Sequence, residues 1–257
     1  MEQRPARPTI AQIREVSQPP SVTGRSNAEH WIADLYLRKI SPYVTRILLR
    51  TPITANGVTW LMILVGASIG PALLIQGWLG IALALVLSHK QMLIDCCDGE
   101  VARWRNTKSP MGIFLDKLGH YLAEGLLPIC FGLRLANWPN EPITDSIFPF
   151  LGALLAILVI VNKGLNDAVH VARAFSGLPK IQDKSGINMP VKGILRRIRK
   201  LFNFIPAQRM FHSVEFTMYV ALFGTFSQSL EIALGISLFV TIGHIAAIVS
   251  SAKLRNN

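Results

Sequence analysis

The sequence predicts an all-α integral membrane protein: six transmembrane helices preceded by an amphipathic helix on the bilayer surface. Three observations carry this. First, of 257 residues 51% are hydrophobic and only 16% charged, and the mean hydropathy is +0.38; an ordinary soluble domain is roughly a quarter charged. Second, apolar runs long enough to cross a bilayer recur along the chain. Third, most of the cations behind the net charge of +11 fall between those runs. The same composition excludes a disordered or collagenous chain. Three cysteines, Cys96 and Cys97 adjacent and Cys130 apart, make neither a disulfide framework nor a four-ligand zinc site.

Residues 1–27, with four Pro and four Arg and no apolar period, read as a disordered cytoplasmic tail. They lack the charged-then-apolar layout of a cleaved signal peptide. Residues 28–50 mix Trp31, Leu35, Ile40, Val44, Ile47 and Leu48 with Arg38, Lys39, Arg46 and Arg50. That mixture suits an amphipathic juxtamembrane helix, broken near Pro42. Residues 51–257 form the membrane domain. Its first span runs from about Gly57 to Gln76, with Asn56 placed to cap it. The others cover Trp78 to Arg103, Ile113 to Leu135, Ser146 to Arg173, Phe211 to Ser227 and Leu230 to Ala252. In the last, Gly235 and Gly243 with nearby Ser residues suggest close helix packing, such as a homodimer seam.

Charge fixes the expected orientation. Cations precede span one, and Arg103, Arg105 and Lys108 fill the link between spans two and three. Nine cations lie from Arg173 to Arg209 against the single acid Asp183, and Lys253 and Arg255 end the chain. The 1–2 and 5–6 links have no cation, and the 3–4 link sets Arg134 against Glu141 and Asp145. All cationic segments therefore fall on one side, as an even number of spans requires, and the positive-inside rule makes that side cytoplasmic. Orientation and anionic lipid headgroups explain this charge better than nucleic acid does; the run Arg196-Arg197-Ile198-Arg199-Lys200 fits headgroups best.

Charged side chains inside spans cost about 3 kcal/mol each on insertion scales, which makes them candidates for function. Steps of three and four place Gln91, Asp95, Asp98 and Ala102 on one face of the second span. Asp116 and His120 share a face at the start of the third. A short link makes the two spans an antiparallel hairpin with both polar faces near the cytoplasmic end. Three carboxylates on facing helices repel one another unless a cation sits among them, and hard oxygen donors suit Mg²⁺, Mn²⁺ or Ca²⁺. Pairing of each acid with Lys90, Arg103 or Lys117 is the plainer alternative.

The written pattern is Asp95-x2-Asp98-Gly99-x2-Ala102-Arg103-x8-Gly112-x3-Asp116-x3-His120. Up to Asp116 it closely resembles the signature of the CDP-alcohol phosphotransferase family, integral membrane enzymes that make phospholipids; seven fixed positions over 22 residues agree. Asn56-x2-Thr59 at the start of span one is similar too, although Ala55 stands where a Pro often precedes that Asn. The resemblance implies attack by an alcohol on the β-phosphate of a CDP-linked donor, with release of CMP. It implies that Asp95, Asp98 and Asp116 hold one or two Mg²⁺ or Mn²⁺ ions. Asn56, Gly99, Ala102, Arg103 and Gly112 are the donor-binding positions: Gly99 and Ala102 let the cytidine approach, Arg103 contacts a phosphate, and Gly112 lets the helices close.

The family's pattern ends in a fourth Asp, taken to deprotonate the attacking hydroxyl, and here that position is His120. Imidazole also serves as a general base; metal ligation, a different acceptor, or lost activity are the other readings. The resemblance leaves the donor open between CDP-diacylglycerol, favoured by the compact length, and a CDP-linked small alcohol given to a lipid or glycan. The acceptor is an alcohol or polyol, free or phosphorylated, for which Lys163, Asn166, His170 and Arg173 form a candidate cationic face. A cation transporter and an inactive six-helix scaffold are the rivals from other classes.

Overall fold

The computed structural model describes residues 4–5, 7–23, 30–178, 211–226 and 228–249. These residues are helical with no strand among them. Helix α1 (Ile10–Ser17) begins in a capping box, in which Thr9 Oγ1 accepts from the Gln12 N–H and Gln12 Oε1 from the Thr9 N–H. A single turn, α2 (Pro20–Thr23), follows. The expectation of a disordered tail over residues 1–27 therefore fails at α1. Its Ile13 and Ser17 are fully buried, and it packs on the later helices α3 and α5. Eight residues with one apolar anchor are too few to stand alone in water, so docking is what stabilises this helix.

A π-helical turn at Ala33–Leu37 runs straight into α3 (Arg38–Leu48). The expected break at Pro42 does not occur. Pro42 has no N–H to offer the Arg38 carbonyl one turn back, and Gln18 Nε2 donates to that carbonyl instead, at 2.8 Å. The outward side of this segment carries exposed Trp31, Leu35, Ile40, Tyr43 and Ile47.

The long helices follow. Helix α4 (Ala55–Ala72) is capped by Thr54, whose Oγ1 accepts from the Gly57 N–H at 3.0 Å. The expected cap, Asn56, lies inside the first turn. Helix α5 (Trp78–Arg105) ends at Asn106 in the left-handed conformation, φ 55°. After four residues, α6 (Pro110–Leu135) starts on Ser109 as N-cap with Pro110 in its first turn, so the hairpin has the short link the sequence implied. A 3₁₀ turn at Ile143–Asp145 leads into α7 (Phe148–Phe175), and α8 (Ser213–Phe223) and α9 (Ser229–Val249) complete the described chain.

Ile69, Leu73, Leu127, Phe131, Leu155, Phe216 and Leu230 form the main core. Helix α4 lies against both α5 and α6, α6 against α7, α7 against α9, and α8 against α5. Helices α6 and α7 touch backbone to backbone: a Cβ at Gly152 would stand 2.5 Å from the Pro128 carbonyl oxygen. On α8, Ser213 Oγ donates to Gln91 Oε1 at 2.7 Å, and Thr217 shares a hydrogen bond with Ser88 at 2.9 Å. Such bonds hold helices together where apolar contacts alone cannot choose a register.

Among the described residues four helices, α4, α5, α7 and α9, are long and apolar enough to cross a membrane. Their outer faces expose Leu64, Leu79, Phe150, Ile157 and Phe239. The six expected spans are therefore met by four on this measure. Helix α6 has 26 residues but carries Asp116, Lys117, Glu124 and Arg134, so the polar groups that interest the chemist are what lower its apolarity. Helix α8 has 11 described residues.

Candidate metal and nucleotide site

Asp95 on α5 and Asp116 and His120 on α6 meet across the hairpin. Their ligand atoms all lie within 4.8 Å of one another. His120 Nε2 is 3.3 Å from Asp95 Oδ1 and 3.6 Å from Asp116 Oδ1. The third expected acid, Asp98, stands one turn further along α5, where Thr59 Oγ1 donates to its Oδ2 at 2.9 Å. Thr59 is the residue singled out with Asn56 at the start of the first span. Helix α4 thus orients one of the site's carboxylates.

The glycines sit where close approach is needed. A Cβ at Gly112 would be 3.2 Å from Asn56 Oδ1, which places Asn56 at the mouth of the hairpin against the first turn of α6. A Cβ at Gly99 would be 3.0 Å from Arg103 Nη1. Gly99 therefore makes room for the Arg103 guanidinium, which lies over it along α5. Arg103 Nε donates to the Ser17 carbonyl at 2.6 Å. Ala102 is partly buried against the cluster of Ala55, Val58, Cys97 and Val101.

A second polar layer was missed at the sequence level. Glu124 is 3% exposed and accepts from Lys163 Nζ of α7 at 2.5 Å. His120 Nδ1 points to the same carboxylate at 3.6 Å, and His212 Nε2 approaches it at 3.8 Å. The chain of groups continues outward, since Glu215 Oε2 is 3.6 Å from His212 Nδ1 and Oε1 is 2.8 Å from His30 Nε2. Trp31 Nε1 donates to Glu215 Oε1 at 2.6 Å. The signal was available: Asp116, His120 and Glu124 repeat at four-residue steps, one face of one helix.

The expected acceptor residues, Lys163, Asn166, His170 and Arg173, all lie on the unbroken helix α7. Lys163 is committed to Glu124, and Asp167 ties this stretch to α6 by accepting from Lys117 Nζ at 2.8 Å and Tyr121 Oη at 3.2 Å. Asn166 is half-buried and His170 is exposed. The basic run Arg196–Lys200 lies outside the described residues.

The site grades from open to closed: the Asp116 side chain is 40% exposed, Asp95 24%, His120 16% and Glu124 3%. Carboxylate oxygens with one imidazole, open on one side and closed by a Lys–Glu pair on the other, are a donor set that fits a divalent cation carrying a ligand from outside.

The sequence model of the CDP-alcohol phosphatidyltransferase family matches residues 52–243, about three quarters of the chain. The match takes in α4 through α8 and most of α9. Among curated proteins nothing matches.

The buried pair yields a stability prediction. Lys163→Met leaves Glu124 without its cation and should destabilise the protein by about 3–5 kcal/mol, the usual size for stranding one partner of a buried pair. Adding Glu124→Gln should recover most of that loss. Thermal unfolding of the single and double variants in detergent measures both.

Proposed function

The chain belongs to the CDP-alcohol phosphatidyltransferase family, and from that premise we propose that it moves a phosphatidyl group from CDP-diacylglycerol to an alcohol or polyol acceptor in phospholipid biosynthesis. The observation that carries this reading is the meeting of Asp95, Asp116 and His120 across the α5–α6 hairpin. The hydroxyl oxygen of the acceptor attacks the β-phosphorus, the bond from that phosphorus to the bridging oxygen breaks, and CMP leaves with the bridging oxygen. Little covalent help is needed in such a transfer; alignment and charge neutralisation dominate.

Asp95, Asp98 and Asp116 are the residues that would hold Mg²⁺ or Mn²⁺, which when bound neutralises the diphosphate and fixes its line of displacement. Thr59 holds the Asp98 carboxylate in place. Arg103 contacts the diphosphate, and Asn56, Gly99, Ala102 and Gly112 shape the cleft for the nucleotide. His120 receives the acceptor's proton at Nε2, the nitrogen that faces Asp95 and Asp116. Its Nδ1 lies 3.6 Å from the Glu124 carboxylate on the closed side of the site. A specific observation favours a second role: the same short distances would let His120 serve as a ligand.

A lipid donor is supported by the apolar surface at the mouth. Met111, Ile113 and Phe114 are all more than half exposed just ahead of Asp116, where acyl chains would cover them. Helices α6 and α8 would complete a six-span bundle with the site and both termini on the cytoplasmic side, against anionic lipid. Cys labels at Lys108 and Asn140 test this in sealed vesicles, because Cys96, Cys97 and Cys130 are buried. Lys108→Cys should react only from the cytoplasmic face and Asn140→Cys only from the other; the reverse would refute the orientation.

Asp98→Asn should abolish CMP release from CDP-diacylglycerol while the protein remains inserted and folded, and EDTA should do the same reversibly. Turnover that survives EDTA would refute the metal reading, and turnover only with a CDP-linked small alcohol would refute the lipid donor.

His120→Ala should lower kcat by about 10²–10⁴-fold, the usual range for loss of a positioned base, with the half-activating Mn²⁺ concentration unchanged. A large rise in that concentration would instead assign His120 to the metal. His120→Asp should retain part of the activity. A wild-type rate in His120→Ala would leave the residue without a chemical role.

A further inference from the structure

Helix α1 reaches the donor-binding arginine from outside the matched region. Ser17 is the last residue of α1, so its carbonyl is one of those a helix end leaves without an intrahelical partner, and it lies at the negative end of the helix dipole. Arg103 Nε fills that vacancy at 2.6 Å. The contact is made through Nε, and the guanidinium is laid over Gly99, with Nη1 and Nη2 3.0 and 3.2 Å from where a Cβ would stand. The forked end of the side chain is thereby turned along α5 toward the turn that carries Asp98.

The rest of the N-terminal segment is built to hold α1 at that spot. Ile13 is fully buried. Ser17 Oγ donates to the Glu100 carbonyl at 3.3 Å. Gln18 Nε2 bridges the Arg38 carbonyl freed by Pro42 and the buried Glu100 carboxylate, each at 2.8 Å. Glu100 also accepts from Ser41 Oγ at 2.5 Å and Thr45 Oγ1 at 2.7 Å, with Arg38 Nη1 at 3.4 Å. On the far side, the Arg4 guanidinium donates to the carbonyls of Arg103 and Trp104 and lies 5.7 Å over the Trp104 ring. Segments before and after α1 thus fasten it to the same two turns of α5 that bear the donor-binding residues.

We propose that α1 is a positioning element for the donor: its C-terminal carbonyl at Ser17 presets the Arg103 side chain so that the guanidinium fork meets the CDP diphosphate. This rests on the donor-binding role given to Arg103 above. A long arginine side chain held at Nε has less rotamer freedom left to lose when its terminal nitrogens engage a phosphate. A bidentate Arg–phosphate pair depends on that geometry.

The test uses full-length protein in detergent with Mg²⁺, reading the affinity for CDP-diacylglycerol by equilibrium binding and, separately, KM and kcat. Ile13→Asp places a charge in the α1 docking site. It should weaken donor affinity about tenfold, the size of one charge-assisted hydrogen bond, raise KM by the same factor and change kcat less than threefold. Ile13→Ala, which leaves a cavity, should shift affinity the same way by a smaller factor, and it serves where Ile13→Asp fails to fold by helicity and melting. Ile13→Val should behave as wild type.

The decisive arm is the cycle with Arg103→Ala. If α1 acts through Arg103, the Ile13 variants should add nothing in that background. Additive losses, or unchanged donor affinity in both Ile13→Asp and Ile13→Ala, overturn the proposal. An Arg103→Ala protein that binds donor as wild type does, or a wild type that binds none, overturns the reading beneath it as well; loss in Arg103→Ala with none in the Ile13 variants overturns the α1 proposal alone.

Discussion

Asp95, Asp116 and Glu124 bring carboxylates to one seam between α5 and α6, and Asp98 lies one turn away. Two like charges 4 Å apart repel by about 4 kcal/mol at the effective dielectric of a partly wet protein site. A seam of this kind stays closed only if each charge finds a partner, and the surrounding helices can be read as the supply of those partners. Helix α7 delivers Lys163 to Glu124, α4 delivers the Thr59 hydroxyl to Asp98, and α6 itself places His120 among Asp95, Asp116 and Glu124. The innermost acid is matched by protein groups. The outermost, Asp116, is left most open, where an ion and its substrate can complete the set.

The same logic extends outward through His212, Glu215, His30 and Trp31. His212, Glu215 and His30 are largely removed from solvent, Trp31 closes the series at the surface, and each lies against the next. This layer joins α8 and the segment before α3 to the floor of the site, so the N-terminal region and the last helices share one electrostatic framework. Helix α6 spreads Asp116, Lys117, Glu124 and Arg134 along its length and misses the composition of a span, whereas α5, whose acids lie in its C-terminal half, meets it.

What could be read from the sequence is what is local. Asp95, Asp98, Gly99 and Arg103 lie within nine residues, and helical steps alone place them on neighbouring faces; the short link fixes the hairpin, so Asp95 and Asp116 had to meet. Apolar runs gave the helices nearly to their bounds. Partners from distant segments left no such trace. Nothing local to Glu124 says that Lys163, 39 residues on, will reach it. Nothing local to Ile10–Ser17 says that eight residues will dock on α5, because the stabilising contacts belong to α5. Thr54 took the cap expected of Asn56 by a shift of two residues, and the consequence is chemical: Asn56 is left facing Gly112 rather than spent on the backbone.

His120 gains its meaning from Glu124. Where the family's pattern carries a carboxylate at this position, this chain carries an imidazole, and one turn further along the same face it carries a buried carboxylate with a lysine of its own. An aspartate at 120 would stand among Asp95, Asp116 and Glu124, a fourth negative charge with no cation of its own. A histidine there can present one nitrogen to each side. Nε2 then lies 3.3 Å from the more open acid Asp95, and Nδ1 lies 3.6 Å from the closed acid Glu124. Seen this way, the departure at His120 and the acid at Glu124 are one arrangement. On the proposed reading of His120 as the base, the imidazole works in the setting that both residues make.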